Sequence, residues 1–171
     1  MKNASRTAVG AVAVCLPLVA AATVLPASAA SPPAPSVEIL TPVRSSFPDD
    51  VSIRFEVEHD DDGMRVVELE GPSHVAVARI TVQPGSRFPL HTHPGPVVVS
   101  VIAGQLTYVD LEDCDRRVYP AGTAFVDTGD DVHTAFGSGQ VETVLVATFF
   151  GAPKQGPLTV PVPDQGQDVC P

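Results

Sequence analysis

The 171-residue sequence predicts a single all-β domain, a sandwich or barrel built from short antiparallel strands. Between Val51 and Phe150, about eight to ten runs of alternating apolar and polar residues follow one another. Turn signals such as HDDDG, EGPS and QPGS separate the runs, which include VSIRFEVE, MRVVELE, HVAVARITV, VVVSVIA, QLTYV, VHTAF and VETVLVATFF. No convincing helical periodicity occurs outside the N-terminal apolar segment, so we expect a core made of strands.

The N-terminal segment has the three parts of a secretory signal peptide. Lys2 and Arg6 form a basic start, an apolar run extends from Ala8 to Leu25, and Ala27-Ser28-Ala29 provides a small-residue cleavage site. We therefore expect a Sec-type signal peptide over residues 1–29, cleaved after Ala29. The mature protein would then be secreted and have no stable association with the membrane. A retained membrane anchor is the alternative, because the apolar run is near spanning length.

The remaining 142 residues suit one domain with its own hydrophobic core. Residues 30–46 are predicted to form a Pro-rich linker or edge segment, and residues 47–150 the barrel. Residues 151–171 read as a Pro/Gly-rich C-terminal tail.

The charge of the chain limits its partners. The formal net charge is −10, and it becomes −12 when the signal peptide takes its two basic residues away. A surface this acidic argues against nucleic acid or an anionic membrane as a partner. A small-molecule ligand or substrate is the partner class that we expect, for a monomer or a homodimer.

The mature chain keeps two cysteines, Cys114 and Cys170. In an exported protein, two cysteines most simply form one disulfide, which here would tie the C-terminal tail back to the domain. Closing a loop of this length stabilises a fold by about 4 kcal/mol at most. Two free thiols are the alternative, but the sequence has neither a CxxC motif nor a histidine beside either cysteine.

Two histidines, His91 and His93, stand two residues apart at the start of a β-rich run. Residues two apart on a strand face the same side, so their imidazoles can converge on one metal ion. The stiff Pro94–Pro96 corner follows them, and a third candidate ligand, His133, follows the turn at 128–131. Ligands so far apart in sequence are common on neighbouring strands of a barrel.

These residues resemble the two sequence motifs of the cupin family. The first motif has Gly, His, His, Glu and Gly at fixed spacing, and Gly85, His91, His93 and Gly104 occupy four of its positions. The second motif is matched by Gly122 and His133, while its Pro, Gly and Asn are replaced by Thr128, Asp130 and Gly137. The resemblance implies a cupin jelly-roll β-barrel with a divalent metal held near the barrel mouth by the motif histidines.

The Glu position of the first motif is Val97, which cannot bind a metal. The pattern is similar to the three-histidine variants among cupin dioxygenases, and it implies Fe, Mn, Ni, Cu or Zn bound by three neutral imidazoles with open positions. Asp127 and Glu142 could substitute for the missing carboxylate from neighbouring strands. Two alternatives remain open: a site that has lost its metal, and a secreted barrel that binds a small ligand or metal without turnover.

Apolar residues near the histidines are candidates both for the core and for the wall of a pocket, since inward positions of a small barrel serve both purposes. They are Phe88, Val97, Val99, Val101, Phe125 and Phe136. Tyr108 could donate a hydrogen bond to a bound substrate. No catalytic base can be identified, so the catalytic residues are left unassigned.

Overall fold

The computed structural model describes residues 36–39, 44–59, 63–71, 74–163 and 170. These described residues belong to one compact unit. The predicted signal peptide and most of the predicted linker lie outside the described residues. Among those residues no helix is long and apolar enough to cross a membrane.

Within the described ranges every regular element is a β-strand. The strands are β1 (Ser36–Ile39), β2 (Ser45–Ser46), β3 (Ser52–His59), β4 (Gly63–Glu70), β5 (His74–Val82), β6 (His91–Thr92), β7 (Val97–Ala103), β8 (Gln105–Asp110), β9 (Arg116–Pro120), β10 (Ala124–Asp127), β11 (His133–Gly137), β12 (Thr143–Phe150) and β13 (Val160–Pro161).

The named strands form two antiparallel sheets and one hairpin. The larger sheet has the order β1-β5-β12-β7-β10, with β2 also paired to β5, and the smaller has the order β13-β6-β11-β8-β9. Apart from the consecutive pair β8 and β9, neighbouring strands of these sheets are not consecutive in the sequence, as in a jelly roll. The strands β3 and β4 pair with each other, and Phe55 of this hairpin packs edge-on against Phe150 at 5.0 Å between ring centres. The predicted all-β jelly roll is confirmed.

The alternating runs form the core because successive side chains of a strand point to opposite faces. Along β5, for example, Ala76, Ala78, Ile80 and Val82 are buried while the residues between them are less so. One hydrophobic cluster joins the two sheets: Val97, Val99 and Ala147 of the larger sheet pack with Leu106 and Ala135 of the smaller. This shared core defines a sandwich whose interior can also hold a cavity.

The motif glycine Gly104 makes the tight turn between β7 and β8. Its φ is +73°, and a Cβ atom there would lie 2.5 Å from the carbonyl oxygen of Glu142. Only glycine tolerates both the left-handed backbone and the close approach. The motif position therefore has a structural reason that is independent of any metal.

The disulfide predicted from the cysteine count is present. Cys114 and Cys170 are bonded, with their Cα atoms 5.3 Å apart. Arg116 also donates a hydrogen bond to the carbonyl oxygen of Cys170 at 2.9 Å. The end of the C-terminal tail is thus attached beside the start of β9.

Candidate metal centre

Three histidines on or directly after strands of the smaller sheet lie close together. His91 opens β6, His133 opens β11, and these two residues are direct partners across the two strands. His93 follows β6 by one residue. One ring nitrogen from each of the three lies within 4.8 Å of the other two, and the ring centres are 4.3–5.1 Å apart. The structure therefore brings together the three residues that the sequence suggested as ligands.

Main-chain carbonyls orient all three imidazoles. The Nδ1 atoms of His91, His93 and His133 lie 2.7, 2.8 and 2.9 Å from the carbonyl oxygens of Pro89, Leu158 and Asp131. A carbonyl oxygen only accepts hydrogen bonds, so each Nδ1 donates its proton to one. In the neutral ring the lone pair then belongs to Nε2, which is the arrangement found in histidines that bind metals.

Burial keeps these rings uncharged. Removal from water lowers the pKa of His91 and of His93 to about 4, from an ordinary value of 6.5, and it lowers the pKa of His133 as well. The neighbouring imidazoles lower the pKa of His91 and His93 further, whereas the carbonyl partners act against the shift. Near neutral pH all three rings are neutral. Three neutral imidazoles with converging free nitrogens could hold a first-row divalent metal.

A cavity of about 280 Å³ opens beside the histidines. Its walls are largely apolar, and the four predicted pocket residues Phe88, Val97, Val99 and Phe125 are among them. Arg44 is the one arginine of the lining. The other apolar lining residues are Ile80, Leu106, Ala135, Leu145, Ala147, Phe149, Pro157 and Leu158. The cavity therefore accepts a small organic molecule with an apolar body close to the three imidazoles.

The other two predicted pocket residues lie elsewhere. Val101 shares the inward face of β7 with Val97 and Val99 and belongs to the same hydrophobic core, but it is not among the residues that line the cavity. Phe136 is on the face of β11 opposite to His133 and Ala135, where the Arg87 guanidinium lies 4.5 Å from its ring centre. Strand alternation alone could have placed Phe136 outside the pocket.

Asp127, at the end of β10, is the buried carboxylate of the site. It is 5% exposed, and its Oδ2 lies 3.2 Å from Nε2 of His133. The Tyr108 hydroxyl donates to Oδ2 at 3.2 Å, and the Gly129 amide donates to Oδ1 at 2.7 Å. Burial raises the pKa of Asp127, while nearby His93 and these two donors act in the opposite direction. Glu142, the other acid considered from sequence, is exposed and accepts a hydrogen bond from Gln83.

Two further features of the site had no sequence signal. The Tyr108 ring stacks on His133, with 4.9 Å between the ring centres and 22° between the planes. The segment 156–159 of the C-terminal tail lines the cavity, and its Leu158 carbonyl orients His93. Because a carbonyl is common to every residue, the role of Leu158 could not be read from its side chain.

Comparisons with known proteins identify similar structures only. No known family profile and no curated protein matches the sequence. A cupin-like protein from Thermotoga maritima is 18% identical, with a TM-score of 0.42 over 64% of this chain and 78% of that one. An oxalate oxidase is 26% identical, with a TM-score of 0.45 over 68% of this chain and 57% of that one.

The polyketide cyclase RemF from Streptomyces resistomycificus is 16% identical, with a TM-score of 0.45 over 54% of this chain and 63% of that one. This chain thus spans less than two thirds of the length of the oxidase and the cyclase. Several of the similar structures are described as cupin-like or double-stranded β-helix proteins.

Proposed function

We propose that this chain is an exported member of the cupin family that binds one divalent transition metal through His91, His93 and His133. We further propose that it is a dioxygenase-type enzyme acting on a small organic substrate. The observation that carries the metal proposal is the convergence of three ring nitrogens within 4.8 Å, each ring being oriented by a carbonyl on its Nδ1. Structural packing alone would not require three histidines to share this orientation.

The protein residues would hold the metal, orient the substrate and exclude water. Bound in the site, a metal supplies a Lewis acid and, when it is redox-active, a source of electrons for oxygen chemistry. The Nδ1 hydrogen bonds fix the imidazoles before the metal arrives. The apolar side chains of Phe88, Val99 and Phe149 would limit the access of water to the histidines when a substrate fills the cavity, which would strengthen polar contacts made there.

The cavity limits the substrate class. A volume of about 280 Å³ suits a small molecule, and the mostly apolar lining favours one whose polar atoms are grouped at the metal end. The histidine end of the cavity would receive those polar atoms, and the apolar wall would contact the rest of the molecule. The dioxygenase class itself rests on the similarity of the three-histidine pattern to the three-histidine cupin dioxygenases.

Export is supported by the signal-like sequence of residues 1–29 and by the disulfide between Cys114 and Cys170. Disulfides persist in oxidising compartments and are rare in reducing ones. We propose that the protein acts outside the cytoplasm and acquires its metal there.

The enzyme proposal is tested by oxygen uptake. Protein reconstituted with Fe²⁺ is mixed with a panel of small diols, diketones and hydroxy acids, and oxygen consumption is recorded with an electrode. We expect uptake with at least one compound, lost in His93→Ala and kept in His74→Ala, a histidine outside the cluster. Tight Fe²⁺ binding with no uptake across the panel would contradict the enzyme proposal and favour a binding protein.

A further inference from the structure

The cavity beside the three histidines contains one side chain with a permanent positive charge. Arg44 is the one arginine among the lining residues, and none of the acids in the described part of the chain forms an ion pair with it. A guanidinium stays charged at any pH that a protein tolerates. A cation beside a largely apolar space is costly unless an opposite charge approaches it, so this part of the cavity favours an anion.

The guanidinium of Arg44 also keeps hydrogen-bond donors that the protein does not use. Of its five N–H groups, Nη1 donates to the carbonyl oxygen of Pro153 at 3.0 Å and Nη2 donates to that of Gly156 at 2.6 Å. The Nε atom is buried and has no hydrogen-bond partner among the described residues. Each terminal nitrogen has a second N–H as well. The planar arrangement of these donors matches a carboxylate better than any other common anionic group of small metabolites except phosphate.

Arg44 lies close to the histidine end of the cavity. The Gly156 carbonyl that it binds is two residues before the Leu158 carbonyl that accepts the proton of His93. Two residues of chain span at most about 7 Å. The guanidinium and the His93 imidazole therefore contact one short segment of the tail, and both line the same cavity. A small molecule in the cavity can reach both groups.

The acid in the cavity lining is already engaged by other groups. Asp127 accepts hydrogen bonds from the Tyr108 hydroxyl and from the Gly129 amide. The charged group that remains able to recognise a ligand is therefore Arg44. Since most of the other lining residues are apolar, the ligand that fits has one anionic group and an apolar body, and the low polarity of the walls strengthens the ion pair.

We propose that the ligand of this cavity is a small carboxylic acid in its anionic form, and that Arg44 binds the carboxylate. This inference rests on the proposed small-molecule function, because it names the substrate class of the same site. The apolar body of the acid packs against side chains such as Phe88, Val99 and Phe149. Within the panel suggested above, hydroxy acids are then favoured over neutral diols and diketones.

The test compares acids with neutral molecules of nearly the same shape. Phenylacetate with phenylacetamide, and hexanoate with hexanamide, are titrated by calorimetry into the protein as purified and after treatment with a chelator. We expect the wild type to bind at least one acid about 10-fold or more tightly than its amide, with and without chelator. Arg44→Gln should reduce this ratio to about 1–2. Arg87→Gln, which removes an arginine outside the cavity lining, should keep the wild-type ratio.

The amide serves to separate recognition of the carboxylate from a structural role of Arg44, which also holds the tail. Glutamine can still donate a hydrogen bond to a tail carbonyl, so Arg44→Gln should bind the amide about as tightly as the wild type does. Equal losses of affinity for the acid and the amide would show that Arg44 only supports the tail, and would overturn the inference. Arg44→Lys keeps the charge without the planar donors and should retain part of the preference for the acid.

The outcomes also distinguish this inference from the enzyme proposal. An acid preference that is absent in the wild type, an unchanged preference in Arg44→Gln, or binding of neither molecule of each pair at millimolar concentration overturns the role of Arg44. None of these results decides whether oxygen is consumed. An acid preference that depends on Arg44, in a protein that consumes no oxygen with any compound, upholds the inference and contradicts the enzyme proposal.

Discussion

The orientation of the three imidazoles depends on main-chain atoms. Pro89, Leu158 and Asp131 contribute carbonyl oxygens, not side chains, to the rings of His91, His93 and His133. A substitution at any of these three carbonyl positions leaves the acceptor present, whereas a change of backbone path removes it. The backbone path around the three histidines therefore determines how their rings are oriented and which ring nitrogen carries the proton.

The burial of uncharged histidines makes the stability of the metal-free protein depend on pH. The unfolded chain binds protons on His91 and His93 near pH 6.5, but the folded protein does so only near pH 4. Between these values the unfolded state holds more protons, so stability rises with pH and is lost on acidification. Each histidine contributes up to about 1.4 kcal/mol per pH unit in this window.

We therefore expect the chelator-treated protein to lose thermal stability steadily as the pH falls from about 6.5 to about 4, as followed by circular dichroism. His91→Asn should show a shallower slope over the same window, because one titrating ring is gone. An unchanged slope in this variant would contradict the assignment of the effect to the buried rings.

At this scale the spacing of His91, His93 and His133 was enough to predict that their rings lie together. It left Asp127 and Glu142 equivalent, since the choice depends on strand register that spacing does not define. The contrast between Asp127 and Glu142 became visible only when β10 was paired with β7 residue by residue.

A close backbone contact joins two loops beside the three histidines. Gly129 has a φ of +103°, and a Cβ atom there would lie 2.6 Å from the carbonyl oxygen of Gly95. The Gly129 carbonyl also accepts a hydrogen bond from the His93 amide at 2.7 Å. The loop that carries His93 is thereby fixed against the loop between β10 and β11.

We expect Gly129→Ala to destabilise the protein by about 2–4 kcal/mol, because it adds both backbone strain and a clash. Gly122→Ala is the matched control: its φ is +88°, but the added Cβ would meet nothing within 4 Å. This control should lose only about 1–2 kcal/mol. Chemical denaturation measures both, and equal losses would show that the contact with Gly95 does not constrain the loop.

The tail after β12 is an element of the site as well as a connection. Residues of β13 pair with β6, so that Pro161 lies opposite His91. Arg44 donates hydrogen bonds to the carbonyl oxygens of Pro153 and Gly156, which holds the tail from the other side. The prolines in the sequence TVPVP argued against a strand, because proline cannot donate a hydrogen bond to a neighbouring strand. The strand β13 is possible because it lies at the edge of the smaller sheet, where proline is tolerated.

Reduction of the disulfide should loosen this tail. We expect reduced protein to be about 2–4 kcal/mol less stable than oxidised protein and to bind metal more weakly, since the Leu158 carbonyl is part of the tail. Thermal melts with and without reductant, and Cys114→Ser with Cys170→Ser under oxidising conditions, measure the effect. A melting temperature that is insensitive to both would mean that other contacts hold the tail.

At the scale of the whole molecule, the alternation of apolar and polar residues was enough to predict strands with one buried and one exposed face, and a core shared by them. Alternation does not define which strands are neighbours, and the jelly-roll order came from the resemblance of the His and Gly motifs. The extent of the cavity could not be predicted from the sequence. It depends on the position along β7 at which inward side chains begin to pack against the opposite sheet. Val99 lines the cavity, whereas Val101, two residues farther along β7, does not.

The most direct test of the three-histidine site is the metal content of the protein secreted by its own host, measured by elemental mass spectrometry. We expect close to one Fe, Mn, Ni, Cu or Zn per chain, and none in a folded His91→Ala, His93→Ala double variant. Wild-type protein that is folded, metal-free and still metal-free after incubation with each of these ions would contradict the site. The three imidazoles would then be features of a cavity that binds its ligand without metal.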